Sequence, residues 1–224
     1  MLSKDRVRNS GAKLKQAAIG FRVHSGWAAA VVVSLDKGVP CVLTRQRVHL
    51  VETFTYTFRQ PYHTARDLPL NEAREFVARV EADAEKLARE AIRRLQSELG
   101  AIGIKLSNCA LLLASGRSLP ELEKILASHS LVHTADGELF REAILRASSR
   151  CGLKAFSIKE RELLDHAKKA LRVQPAALLR RLTALGKPLG SPWSQDEKFA
   201  ALAAWLALSG ASNQRRMKSG STAA

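Results

Sequence analysis

The sequence predicts a single α/β domain: a three-stranded antiparallel meander followed by alternating helices and parallel strands. Three observations predict it. Residues 19–51 hold three strand-like runs separated only by Ser25-Gly26 and Asp36-Lys37-Gly38, gaps that fit hairpin turns. A long amphipathic stretch follows over 71–100. After it stands "NCALLLAS", 108–115, a continuous apolar run of the kind found in strands buried on both faces.

Each element has its own signal. The opening hairpin is "IGFRVHSGWAAAVVVSL", 19–35, and "VPCVLTRQRVHLV", 39–51, supplies the third strand. In that strand Thr44, Gln46, Val48 and Leu50 share one face, and Arg45, Arg47 and His49 share the other, read as solvated. Residues 52–70, punctuated by Pro61 and Pro69, read as irregular. The long helix runs from Asn71 as N-cap to Gly100, with Phe76, Val80, Ala84, Leu87, Ala91 and Leu95 as its apolar stripe and Glu75, Glu81 and Glu85 as surface acids.

Two helices are expected near 119–128 and 134–151, the second opened by Thr134. A short strand "LKAFSI" leads to a helix at 159–171. Pro175 then opens a helix that Gly186 closes. The last helix starts with the capping box Ser194-Gln195-Asp196-Glu197 and buries Phe199, Leu202, Ala203 and Leu206.

Charge bounds the partners. The net charge is +15, of which residues 1–15 carry +4 and residues 210–224 carry +3. The remaining body is still basic, so polyanions such as nucleic acid or a ribonucleoprotein are the expected partners. The domain reading is therefore a basic tail over 1–18, one domain over 19–209 and a disordered basic tail over 210–224. Cys41, Cys109 and Cys151 are odd in number and far apart, and Cys41 and Cys109 lie in apolar runs. A reducing compartment and small buried thiols follow, rather than disulfides or a zinc site of paired cysteines. The longest apolar stretch, 27–33, is too short to span a bilayer, and no signal-peptide pattern opens the chain. A cytoplasmic protein without membrane partner or cofactor is expected.

The order of elements resembles the ribonuclease-H-like fold, as in Holliday-junction resolvases. The nucleases of that fold place a metal-binding aspartate on the first strand, where this chain offers Phe21, Arg22, Val23 and His24. With no carboxylate there and none at the end of "NCALLLAS", a two-metal nuclease centre is not expected, and neither magnesium nor manganese should support cleavage. On the last helix Asp196 and Glu197 match the resolvase pattern only weakly.

Candidate ligand-binding residues fall in three places. "FRQPYH" concentrates Arg59, Gln60, Tyr62 and His63 around Pro61, with His24 on the first strand. Ser115 and Arg117 follow the buried strand, where open α/β sheets hold their ligand crevice. His129 and His133 stand four apart with Asp136 and Glu138 just beyond, yet Ser128, Ser130 and Thr134 suggest a helix boundary that would separate the two imidazoles. Arg45 and Arg47 are candidate nucleic-acid contacts.

"IGFRVHSGWAAAVVV", "FRQPYH", "HTADGELFREAI" and "LTALGKPLGSPWSQDEKFAALAAWLAL" also resemble segments of a group of uncharacterised bacterial proteins of about this length, over residues 19–208. That resemblance implies a bacterial, cytoplasmic, stand-alone domain and no mechanism. The expectation is a non-catalytic binding protein for nucleic acid or ribonucleoprotein, with two alternatives: a hydrolytic enzyme with a histidine-containing site, or a protein-interaction scaffold. Whether His24, His63, His129 and His133 meet decides between binder and enzyme, convergence favouring the enzyme.

Overall fold

The computed structural model describes residues 14–114 and 118–209. Residues 1–13 of the expected N-terminal tail, the expected C-terminal tail, and Ser115 and Arg117 lie outside them, whereas residues 15–18, expected in the N-terminal tail, belong to the first strand. Strands β1 (Lys15–His24), β2 (Trp27–Asp36) and β3 (Val39–His49) pair antiparallel in turn, and β4 (Ile104–Leu113) and β5 (Lys154–Lys159) continue the sheet in parallel. The sheet order is β3-β2-β1-β4-β5. This is the expected ribonuclease-H-like arrangement. β4 docks against β1, not β3, so the meander forms one half of a mixed sheet with β1 at its centre. Lys37 and Gly38 both have positive φ, 48° and 83°, the conformation that a two-residue hairpin between right-twisted strands requires.

Strand alternation divides the molecule. Ile19, Phe21 and Val23 of β1, Ala28, Ala30 and Val32 of β2, and Val48 of β3 enter one core. That core is closed by α3 (Leu70–Ala101) and α5 (His129–Arg150). The opposite face, with Ala18, Val31, Val33 and Ala110, is covered by α8 (Gln195–Leu208). α6 (Leu163–Leu171) and α7 (Pro175–Leu185) back α8 from outside through Leu163, Ala167, Leu178 and Leu182. Every residue from Ala200 to Ala207 is therefore buried, and α8 is apolar all round because it has protein on both sides. No helix among the described residues is long and apolar enough to cross a membrane.

Several expectations need correction. Segment 52–70 is not irregular throughout: it forms α1 (Tyr56–Arg59), whose Arg59 reaches the β1–β2 turn at Ser25, and α2 (Pro61–Ala65), which packs on α3 and α5. α3 starts at Leu70, behind Pro69, and its buried line passes through Ala84, Ala88 and Ile92, which leaves Leu87 and Ala91 half-buried. Glu85 is buried, paired with Arg146 at 3.1 Å and Arg150 at 2.8 Å, because α5 packs across it. Between β4 and α5 the expected helix shrinks to α4 (Leu122–Leu126). On α8 the capping box is present, but Phe199 is half-buried at the open end. Cys41 is exposed on edge strand β3, while Cys109 is fully buried and its thiol is pushed up to about 12 by that burial.

Candidate functional site

α5 begins at His129, five residues before the expected start at Thr134, and this unites a site that the sequence divides. Thr134 opens no helix; its Oγ1 donates back to the Ser130 carbonyl at 3.0 Å inside the running helix. His129, His133 and Asp136, spaced four and three apart, consequently share one face. α2 packs against that face and delivers His63. The ligand-capable nitrogens of His63, His129 and His133 all lie within 4.8 Å of one another. His129 and His133 are exposed, and their Nε2 atoms stand 3.0 Å apart.

Asp136 organises this corner. It is buried, one carboxylate oxygen bonds His63 Nδ1, and the other accepts from the Tyr62 backbone N–H at 2.7 Å. α2 has no side-chain cap of its own, so a carboxylate from α5 satisfies its first turn. Burial raises the Asp136 pKa, and the hydrogen bond from His63 opposes that shift. With Nδ1 of His63 bonded to Asp136, Nε2 is the ring nitrogen left for a ligand, and the ring lies 4.4 Å from that of His133. A carboxylate behind a histidine is the arrangement that fixes tautomer and ring orientation in metal-binding imidazoles. Arg66 Nη1 lies 3.5 Å from His129 Nδ1 and puts a cation on the rim.

The end of β1 holds a different arrangement. Arg22 Nη2 pairs with Glu160 Oε1 at 2.6 Å, Nε donates to Glu160 Oε2 at 2.8 Å, and Nη1 bonds Asp196 at the start of α8. Hydrogen bonding to Glu160 is the leading cause that raises the guanidinium pKa. A fixed cation thus stands between two carboxylates, and Asp196 serves as its partner. Arg22→Met should destabilise the fold by about 2 kcal/mol, since two part-buried carboxylates lose their shared donor. Urea unfolding measures this, and an unchanged midpoint would show that the pairing contributes nothing.

His24 does not join the other histidines. Its ring stacks on Trp27 at 4.3 Å, and Nε2 sits 3.1 Å from Asp196 Oδ1 without hydrogen-bond geometry. Registers Arg22–Ala29–Arg47 and His24–Trp27–His49 place these side chains on the α8 side of the sheet, beyond the helix start. The arginine face of β3 is accordingly not simply solvated. Arg45 donates to the carbonyls of Leu189 and Gly190, both at 3.2 Å, and lies over Trp193. Arg47 lies over Trp27 at 4.0 Å and over Phe54 at 5.1 Å. Arg59 reaches back to the Ser25 carbonyl at 3.3 Å and lies over Phe54 at 4.5 Å. Gln60 is half-buried at the α1–α2 junction and Tyr62 packs into the core, where burial pushes its phenol up to about 12.

Of the nominated residues, the structure gathers His63, His129 and His133 and leaves His24 apart. Arg66, Trp27 and Phe54 carry no functional signal in the sequence, and Asp136 stands there only as a neighbour of His129 and His133. The helical H-x3-H-x2-D spacing was the available signal for Asp136; the others depend on chain crossings that no local pattern encodes.

No protein-family model and no curated protein matches the chain. Solved structures do. A Thermus thermophilus RuvC structure shares 15% identity at TM-score 0.45, over 84% of this chain and 91% of that one. T. thermophilus RuvC in complex with a Holliday junction substrate shares 14% at 0.46, over 85% and 90%. The yeast mitochondrial Holliday junction resolvase Ydc2 shares 12% at 0.47, over 90% and 82%. At these identities the likeness is one of fold. The expectation of a non-catalytic binding protein is nevertheless corrected. Three of the four histidines converge, the outcome that favours an enzyme.

Proposed function

We propose that the protein is a metal-dependent hydrolase of phosphodiesters in nucleic acid, centred on His63, His129 and His133. The convergence of three imidazoles with Asp136 behind one of them carries the reading. Three neutral nitrogen donors suit zinc or a neighbouring transition metal and suit magnesium poorly. His63, His129 and His133 would hold the ion, which would supply Lewis-acid activation of a water for attack. In hydrolysis the water oxygen bonds to phosphorus, the P–O bond to the leaving oxygen breaks, and a water proton ends on that oxygen. Arg66 stands on the rim, and the net charge of +15 favours a polyanionic substrate.

The test uses the full chain with zinc, cobalt or magnesium, on bis(p-nitrophenyl) phosphate and on labelled DNA. Zinc- or cobalt-dependent hydrolysis that EDTA abolishes is expected. His133→Ala should remove it, and Asp136→Asn should reduce it by about 10- to 100-fold. Hydrolysis indifferent to EDTA, or retained in His133→Ala, would place the chemistry elsewhere; none with any metal would end the hydrolase reading.

A further inference from the structure

At the β1–β2 turn five side chains form one alternating stack: His24 on Trp27, Arg47 between Trp27 and Phe54, and Arg59 on the Phe54 ring. Residues from β1, β2, β3, the connection after β3 and α1 contribute. Arg59 stands four residues before His63; the other members are farther from the histidine centre in sequence. Arg47 is the informative member. It is exposed, it makes no ion pair or hydrogen bond among the described residues, and two aromatic faces hold its guanidinium in place.

An arginine kept this way has already lost much of its rotamer freedom, while its planar fork of N–H donors stays free. A surface arginine in a merely structural role finds a carboxylate or a carbonyl, as Arg22 and Arg45 do here. Phe54, 40% exposed, has Arg47 on one side of the stack and Arg59 on the other, so the open ring near this unpaired positive charge is that of Tyr56, 60% exposed and two residues farther along the chain. A free cation beside an open ring matches a strand in which phosphates alternate with unstacked bases. A duplex keeps its base faces internal and offers such rings nothing to stack on.

We infer that this stack is a clamp for an unpaired nucleic-acid strand, with Arg47 on a phosphate, Phe54 and Arg59 holding that guanidinium in place, and Tyr56 under a base. α1 carries Tyr56 and leads directly into α2, and the Tyr56 ring lies 6.3 Å from that of His63. A strand held on the stack is thereby led toward the histidine centre. In choosing nucleic acid the inference rests on the hydrolase reading; the binding itself requires no metal.

The experiment is fluorescence anisotropy of the full chain in EDTA at low salt, with labelled oligo-dT, oligo-rU and a duplex of equal length. Single strands should bind at least about tenfold tighter than the duplex, and Arg47→Gln or Phe54→Ala should each remove most of that preference. Phe54→Leu, which keeps the apolar bulk and loses the ring, covers the case in which Phe54→Ala fails to fold. Oligo-dT against oligo-rU decides between DNA and RNA. Equal affinity for duplex and single strand, or wild-type affinity in both Arg47→Gln and Phe54→Leu, would overturn the clamp. Selective strand binding without any hydrolysis would leave the clamp standing and sink the hydrolase reading. Metal-dependent hydrolysis with a KM indifferent to Arg47→Gln would do the reverse.

Discussion

Gly20→Ala is expected to lower the stability of the fold by roughly 3 kcal/mol or more. A Cβ at this position in β1 would stand 1.9 Å from the Ala200 carbonyl oxygen, 2.8 Å from its carbon and 3.0 Å from the Ala204 nitrogen. All three are backbone atoms of α8, so no side-chain rotation can relieve the clash. α8 cannot simply lift away either: α6 and α7 pack on its outer side, and Asn108 Nδ2 donates to the Ala207 carbonyl at 2.7 Å. The alanines of α8 and the glycine of β1 together allow a helix to lie unusually close to the sheet. Gly100→Ala is the control, since an added methyl there meets nothing, and alanine should stabilise that helical position by about 0.5–1 kcal/mol. Urea midpoints compare the two. If both variants unfold at the wild-type midpoint or above, the close docking of α8 on β1 is wrong.

The second large effect belongs to the buried Asp136. His63→Leu should cost about 2–4 kcal/mol in metal-free protein, because the carboxylate then keeps only the Tyr62 N–H as donor. Asp136→Leu should cost a comparable amount, by orphaning the first turn of α2 and the His63 ring together. The double substitution should be less damaging than the sum of the singles, since neither half is then left buried without its partner. Chemical denaturation of the four proteins closes this cycle. Strictly additive losses would show that the two side chains do not act as a unit.

Much of the fold was legible because hydrophobic alternation and period are local properties. The hairpins, the long helix and the buried fourth strand follow from patterns within about ten residues. The misplacements share a cause: partners distant in sequence. Glu85 reads as a surface acid until Arg146 and Arg150 of α5 cross it. Arg45 and Arg47 read as a solvated face until the segment at Leu189–Trp193 and Phe54 fold over them. The site suffered from one boundary. Ser128, Ser130 and Thr134 are ordinary capping residues, and placing a helix start at Thr134 separates His129 from His133. Tertiary packing of α5 against α3 and α2 overrides that local preference and begins the helix at His129.

Isothermal titration of the metal-free protein with zinc tests most directly whether His63, His129 and His133 hold a transition-metal ion. One zinc per chain is predicted, with no comparable binding of magnesium. His129→Ala and His133→Ala should each weaken zinc binding by about 100-fold or more, and Asp136→Asn by about tenfold. Zinc bound with the same affinity and stoichiometry by the histidine variants, or no zinc bound by the wild-type chain, would contradict the claim.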